Sequence, residues 1–225
     1  MTAGPDRFQQ HLRQAAAGVL ARFPAADVPE IYALSFRIWR LDDDRHPYVA
    51  IGYNTESQYA RERRAEDPGE ARWNYACWLL DGFEMLGNVP EDPAGGALFV
   101  ERAKELGLWY DDGTGDPALP KAVRDEQDGT SGDEQDGMSC DEEDGMSCDE
   151  EDGTSEGLWE YFADACTGLA RHLHASGLIE EILGRPLPIV VFDMDCPGWE
   201  VEATEAANPP GLITGFLDWQ HAQGA

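Results

Sequence analysis

The chain has 225 residues, of which 45 are acidic and 16 basic, for a net charge of −29. Affinity for nucleic acid comes largely from Lys and Arg neutralising phosphates, so this balance argues against DNA, RNA and anionic membrane surfaces; if a macromolecule is bound, it favours a basic protein. Hydrophobic residues make up 42% of the chain, enough for a core, yet no stretch approaches the roughly 18 apolar residues of a membrane span. Met1 to Arg13 is polar, without the apolar run of a secretory signal. The five cysteines, Cys77, Cys140, Cys148, Cys166 and Cys196, are odd in number and loosely spaced, which reads as a cytoplasmic protein with free thiols.

In chain order, Asp6 to Phe23 predicts an amphipathic helix, with Phe8, Leu12, Ala15, Ala16, Val19 and Phe23 on one stripe. Glu30 to Leu41 predicts a strand with Tyr32, Leu34, Phe36 and Ile38 on one face and Ser35 and Arg37 on the other. Asp42 to Pro47 is a turn cluster, and Tyr48 to Tyr53 alternates Val49, Ile51 and Tyr53, so the two strands form an antiparallel hairpin. Thr55-Glu56-Ser57-Gln58 fits a capping box opening a short polar helix. Trp73 to Leu86 is dense in large apolar groups and fits strand and helix equally. Ala97 to Leu106 predicts a helix stopped by Gly107.

Residues 125–156 repeat with a period of eight: DEQDGTSG, DEQDGMSC, DEEDGMSC and DEEDGTSE. They hold 15 acidic groups and no basic one; the other 193 residues carry 30 acidic and 16 basic groups, a net of −14. Mutually repelling carboxylates with almost nothing apolar to bury predict a disordered, solvated insertion, and the Asp-, Gly- and Pro-rich stretch from Asp111 extends it to residues 111–157.

After it, Leu158, Phe162, Ala165, Leu169 and Leu173 form a helical stripe ending at Gly177. Pro188 to Asp195 predicts a buried central strand. Trp199 to Ala207 and Leu212 to Ala222 read as helices divided by Asn208-Pro209-Pro210-Gly211. With no other convincing strand, the C-terminal strand has to pair with the N-terminal hairpin. The expectation is one α+β domain over 1–225: a small, mainly antiparallel sheet flanked by helices, with the acidic insertion within it.

Several motifs carry chemistry on paper. Val190-Val191-Phe192-Asp193-Met194-Asp195 looks like the first motif of haloacid-dehalogenase-type phosphatases, in which the first aspartate is a nucleophile, the second a general acid, and a metal lies between. Pro197 departs from that motif, and too few residues follow Asp195 to supply the family's later lysine and acidic pair. Gly153-Thr154-Ser155-Glu156-Gly157 matches G-x-S-x-G in letters, but the acidic repeat stands where the elbow's strand is required, and Ser155 reads as a helix N-cap. The repeat offers oxygens to calcium, yet its Gly is fifth in a period of eight, unlike the EF-hand loop or the nonapeptide repeats. Cys140 and Cys148 lack further soft ligands nearby. His172 and His174, two apart on a helix, diverge by about 200° and cannot chelate one ion. Trp39, Trp73, Tyr75, Trp78, Trp109, Tyr110, Trp159, Trp199 and Trp219 supply the core and can line a pocket. No residue is assigned to catalysis or to a cofactor.

Ile31-Tyr32-Ala33-Leu34-Ser35-Phe36, Val49 to Glu56, Arg72-Trp73-Asn74, and the strand Ile189 to Phe192 leading to Asn208-Pro209 resemble an uncharacterised bacterial domain-of-unknown-function family (four three zero three). The resemblance covers most of the chain outside 111–157 and implies a small α+β fold without bringing an activity. The functional expectation is a non-enzymatic protein-binding module, an immunity or antitoxin-like partner of a basic protein. The alternatives are a metal-dependent hydrolase using Asp193 and Asp195, and a weak calcium-responsive regulator acting through 125–156.

Overall fold

The computed structural model of the chain describes residues 4–41, 43–110, 153–193 and 199–223. Asp6 opens α1 (Arg7–Ala21) with a complete capping box: its carboxylate accepts from the Gln9 amide at 2.8 Å, and the Gln9 side chain accepts from the Asp6 amide at 3.3 Å. The hairpin follows as β1 (Ile31–Arg40) and β2 (Pro47–Thr55), antiparallel with Phe36 opposite Ile51. Thr55 caps α2 (Glu56–Glu62) through the Gln58 amide, but the reciprocal half of the expected box is missing, because the Gln58 side chain bonds Glu62 and the Cys77 carbonyl instead.

The ambiguous aromatic stretch resolves into short pieces. α3 (Pro68–Trp73) starts on the Asp67 cap, a 3-10 turn covers Tyr75–Cys77, and β3 (Glu84–Gly87) pairs with β2. This strand corrects the expectation that the hairpin and one C-terminal strand make up the sheet. α4 (Pro93–Leu106) begins four residues before the predicted start, since Asp92 caps it through Gly95 and Pro93 fits the first turn; Gly107, at φ 73°, ends it as a left-handed cap. α5 (Gly153–Ala175) begins at Gly153, so Ser155 lies inside the first turn and is neither the predicted N-cap nor the corner of a strand–turn–helix elbow. α6 (Leu178–Leu183) sits between Gly177 and Gly184, β4 (Ile189–Phe192) follows, and α7 (Glu200–Ala207) and α8 (Thr214–Gln223) complete the order.

The sheet order is β3-β2-β1-β4, with β4 parallel to β1 and the other pairs antiparallel. β4 therefore stands at an edge, not in the predicted centre, although all four of its residues are buried. The explanation lies in α7. Thr204 Oγ1 accepts from the Val191 amide at 3.0 Å and donates to the Val191 carbonyl at 3.2 Å; Asn208 accepts from the Ile189 amide at 2.8 Å and donates to the Ile189 carbonyl at 2.7 Å. One side chain of α7 and that of its cap residue thus supply the bonds that a neighbouring strand would make, and an exposed edge becomes an interior one.

One face of the sheet, with Leu34, Phe36, Ile38, Val49, Ile51, Ile189 and Val191, is covered by α1, α4, α5 and α6. Phe8, Phe99 and Phe162 meet at its centre with ring separations of 5.3, 5.8 and 6.0 Å, joining α1, α4 and α5. Each fully buried Phe contributes about 2–3 kcal/mol of apolar transfer. Segments from both sides of residues 111–152 share this core. Tyr32 is absent from it: a bulge between Ile31 and Ala33 sends Tyr32 to the opposite face, against the simple alternation expected for β1.

Candidate functional site

Tyr32 and Asn54, on neighbouring strands, begin a cluster on the second face. The Tyr32 hydroxyl donates to the Arg72 carbonyl at 2.7 Å and accepts from the Asn54 amide group at 2.9 Å. Trp78 Nε1 donates to the same carbonyl at 2.9 Å. That carbonyl belongs to the last turn of α3, where helices leave C=O groups without intrahelical partners. Burial pushes the Tyr32 hydroxyl well above the ordinary tyrosine range, with Asn54 and Arg72 opposing the shift, so it stays a donor at all working pH. The Arg72 guanidinium lies 4.2 Å over the Tyr32 ring and 5.0 Å over that of Tyr59, and grips Glu56 in a fork of 2.9 and 3.2 Å. Most of its groups are spent on one another, although Asn54 Oδ1 stays buried without a hydrogen-bond partner among the described residues, and the arrangement ties α2 and α3 to the sheet.

Open space lies elsewhere, between α1 and β3. A cleft of about 500 Å³ is lined by Ala15 and Gly18 of α1 and its cap residue Arg22, by Glu84, Met85 and Leu86, and by Glu91 and Asp92. A second hollow of about 330 Å³ shares Arg22, Phe83 and Glu84 and continues along Val19, Phe23 and Leu79. Arg22 spans the junction, its Nε 2.6 Å from Glu84; this hydrogen bond holds the Glu84 carboxyl below the usual carboxylate range. Asp92 forms the rear wall: it accepts from Gly95 at 2.9 Å, from Gly87 at 3.2 Å and from His11 Nε2 at 2.8 Å, so His11 presents Nε2–H and α1, β3 and α4 are locked together. At the far end, Tyr53 donates to Asp27 at 2.6 Å; burial and that carboxylate push its hydroxyl up to about 12. This cleft has no signature in the sequence, because Ala15, Gly18 and Met85 carry no recognisable chemistry and Glu84 to Gly87 has no strand period of its own.

The residues that sequence reasoning singled out are scattered. Asp193 follows the last residue of β4 and is 4% exposed, while Asp195 falls outside the described residues. The repeat at 125–156, up to its last four residues, and Cys140, Cys148 and Cys196 also fall outside them. Cys77 and Cys166 are free thiols. His172 and His174 both lie on α5; burial lowers the His174 pKa, and its Nε2 donates to Asn208 Oδ1 at 3.1 Å. Trp73, Tyr75, Trp78 and Trp219 join the second-face core, Tyr75 stacking on Phe192 at 4.8 Å, whereas Trp159 and Trp199 meet edge-to-face at 6.3 Å. Among the described residues no group of three His, Cys, Asp or Glu side chains is gathered to hold a metal, and no helix is long and apolar enough to cross a membrane.

Compared with known protein families, with curated proteins and with solved structures, the chain matches none.

Proposed function

We propose that this chain is a non-enzymatic binding protein whose partner is a basic protein, acting in the cytoplasm in the manner of an immunity or antitoxin-like inhibitor. The observation that carries the reading is the distribution of charge: 15 of the 45 acidic residues lie in residues 125–156. Leu108 and Gly157, on either side of residues 111–152, lie against each other: a Cβ on Gly157 would stand 3.0 Å from Leu108 Cδ2. Concentrated negative charge speeds encounter with a basic surface and disfavours acidic competitors.

The test is affinity capture at low and moderate salt with the full chain and with a form lacking residues 125–148, followed by titration of the purified captured protein. A single basic protein whose affinity falls steeply with salt supports the reading. Retention of no basic protein, or salt-indifferent binding, overturns it.

Asp193 favours one second reading. A buried carboxylate directly after a parallel strand is where hydrolases of the metal-dependent kind hold a nucleophile. Magnesium-dependent phosphatase turnover lost in Asp193→Asn would support it; absence of turnover in the intact chain would remove it.

A further inference from the structure

The two edges of the sheet are treated differently. At β4, Thr204 and Asn208 occupy the outward main-chain groups. At β3 the outward groups follow from the pairing. The Asn88 amide donates to the Pro47 carbonyl at 2.9 Å, so 47 and 88 form a hydrogen-bonded pair. Alternation along an antiparallel ladder then turns Glu84 and Leu86 toward β2, and Met85 outward. Gly87 has the same parity as Met85, and its amide does point outward, to Asp92. Among the described residues nothing bonds the main-chain N–H or C=O of Met85.

The α1–β3 cleft lies along this open edge. Leu86 belongs to the face under α1, Met85 to the opposite face beside Tyr48 and Ala50, and both line the cleft. A cavity that touches both faces of a strand encloses its edge. The second hollow prolongs it past Phe83 to Leu79, so Leu79 and residues 81–86 border one groove with apolar ground from Ala15 and Leu86 at one end to Val19 and Phe23 at the other.

We propose that this groove takes an extended, lysine- or arginine-bearing segment of the partner protein, which adds to the sheet alongside β3. The inference rests on the basic-partner reading and gives it a location. The groove's charge selects the occupant: Asp81, Glu84, Glu91 and Asp92 line it against one arginine, Arg22, which Glu84 already holds. A second copy of this chain would bring Glu84 toward Glu84, and the chain's own acidic repeat would meet the same carboxylates; a basic segment is attracted by them. Main-chain pairing at an edge supplies affinity, and alternate side chains in flanking pockets supply selectivity.

The probe is an end-blocked peptide of alternating Lys and Val, with a Glu–Val peptide as control, titrated into the full chain by calorimetry, while amide hydrogen exchange is followed at Met85. The Lys–Val peptide is expected to bind saturably and slow Met85 exchange at least tenfold, and the Glu–Val peptide to do neither. Met85→Pro removes the outward N–H at an edge position that tolerates proline and should weaken binding about tenfold. Ala15→Arg fills the groove from α1 without touching β3 and should weaken it similarly. Thermal unfolding of each variant verifies folding, and the Ala15→Arg result stands if Met85→Pro does not fold.

Binding that ignores both variants and leaves Met85 exchange unchanged, but disappears when residues 125–148 are deleted, overturns the groove and leaves the basic-partner reading intact. Self-association abolished by Met85→Pro overturns it in favour of a second copy. If neither the peptide nor any basic protein binds the full chain at low salt, both readings fall.

Discussion

Thr204→Val tests the idea that α7 closes the sheet by imitating a strand. Thr204 is fully buried, and its hydroxyl both accepts from and donates to the main chain of Val191. Valine has nearly the same shape, so the substitution leaves no cavity and places no new bulk; it removes only the two hydrogen bonds. The Val191 N–H and C=O then stay buried without partners. A buried polar group left unsatisfied costs about 1–3 kcal/mol, so the pair should cost about 2–4 kcal/mol, a large part of the 5–15 kcal/mol typical of a domain. For a chain of this size that is a fall in Tm of roughly 5–15 °C. Thr204→Ser is the control: it keeps the hydroxyl and loses one methyl, at about 1 kcal/mol.

Urea denaturation of the three forms, with hydrogen exchange at Ile189 and Val191, measures both consequences. In Thr204→Val the Val191 amide should exchange faster than the loss of global stability accounts for, while the Ile189 amide, held by Asn208, follows global unfolding. A Thr204→Val cost no greater than that of Thr204→Ser, with unchanged Val191 protection, would refute the argument and mean that packing alone covers the edge.

Four further outcomes are expected. Burial lowers the His174 pKa in the folded chain, so the folded state binds fewer protons than the unfolded state near the ordinary value of 6.5; stability is full above that value and falls as pH drops through it, and His174→Gln should lose less than the parent between pH 7.5 and 5.5 by thermal unfolding. Tyr32→Phe strips the Asn54 amide group and the Arg72 carbonyl of a partner and should cost about 1–3 kcal/mol in urea, with Arg72→Lys costing about 1–2 kcal/mol through the lost fork to Glu56 and the lost stacking. Gly87→Ala combines φ 142° with a Cβ placed 2.4 Å from the Pro47 oxygen and 2.9 Å from Tyr48 Cα, both backbone, and should cost about 3 kcal/mol by the same assay. Deleting residues 125–148 shortens the connection between α4 and α5 by about half, and loop-closure entropy predicts less than about 1 kcal/mol of change, in the stabilising direction.

Where local pattern and tertiary demand agree, the fold is legible in the sequence. The α1 stripe from Phe8 to Val19, the hairpin alternation from Leu34 onward and the α5 stripe appear as read, because each sets one apolar face against the first core, while the hairpin buries its other face as well. The misreadings come from tertiary effects. β3 has four residues and borrows its strand character from β2, so Glu84-Met85-Leu86-Gly87 carries no period of its own. α6 has only six residues between two glycines, too few for a helical stripe. The Ile189 to Phe192 run of continuous apolar residues signals burial on both faces, which fits a central strand and a covered edge alike; only the Thr204 and Asn208 side chains, distant in sequence, separate the two.

The same logic explains why the binding groove was invisible. Catalytic motifs announce themselves through residue types whose chemistry is rare, such as the Asp193 pair, whereas an open strand edge is defined by main-chain groups that every residue possesses. What makes Met85 distinctive is the parity fixed by Asn88 and Pro47, together with the lack, among the described residues, of a helix like α7 on its side. Edges left open are a hazard that folds blunt with short strands and charge. β3 has both features: it is four residues long, and Glu84 stands on it. That combination keeps like-charged copies apart and leaves the edge accessible to a segment of opposite charge. The defence against self-association and the selectivity for the proposed basic partner then follow from the same carboxylates, so Glu84→Gln should weaken the Lys–Val peptide and promote self-association together.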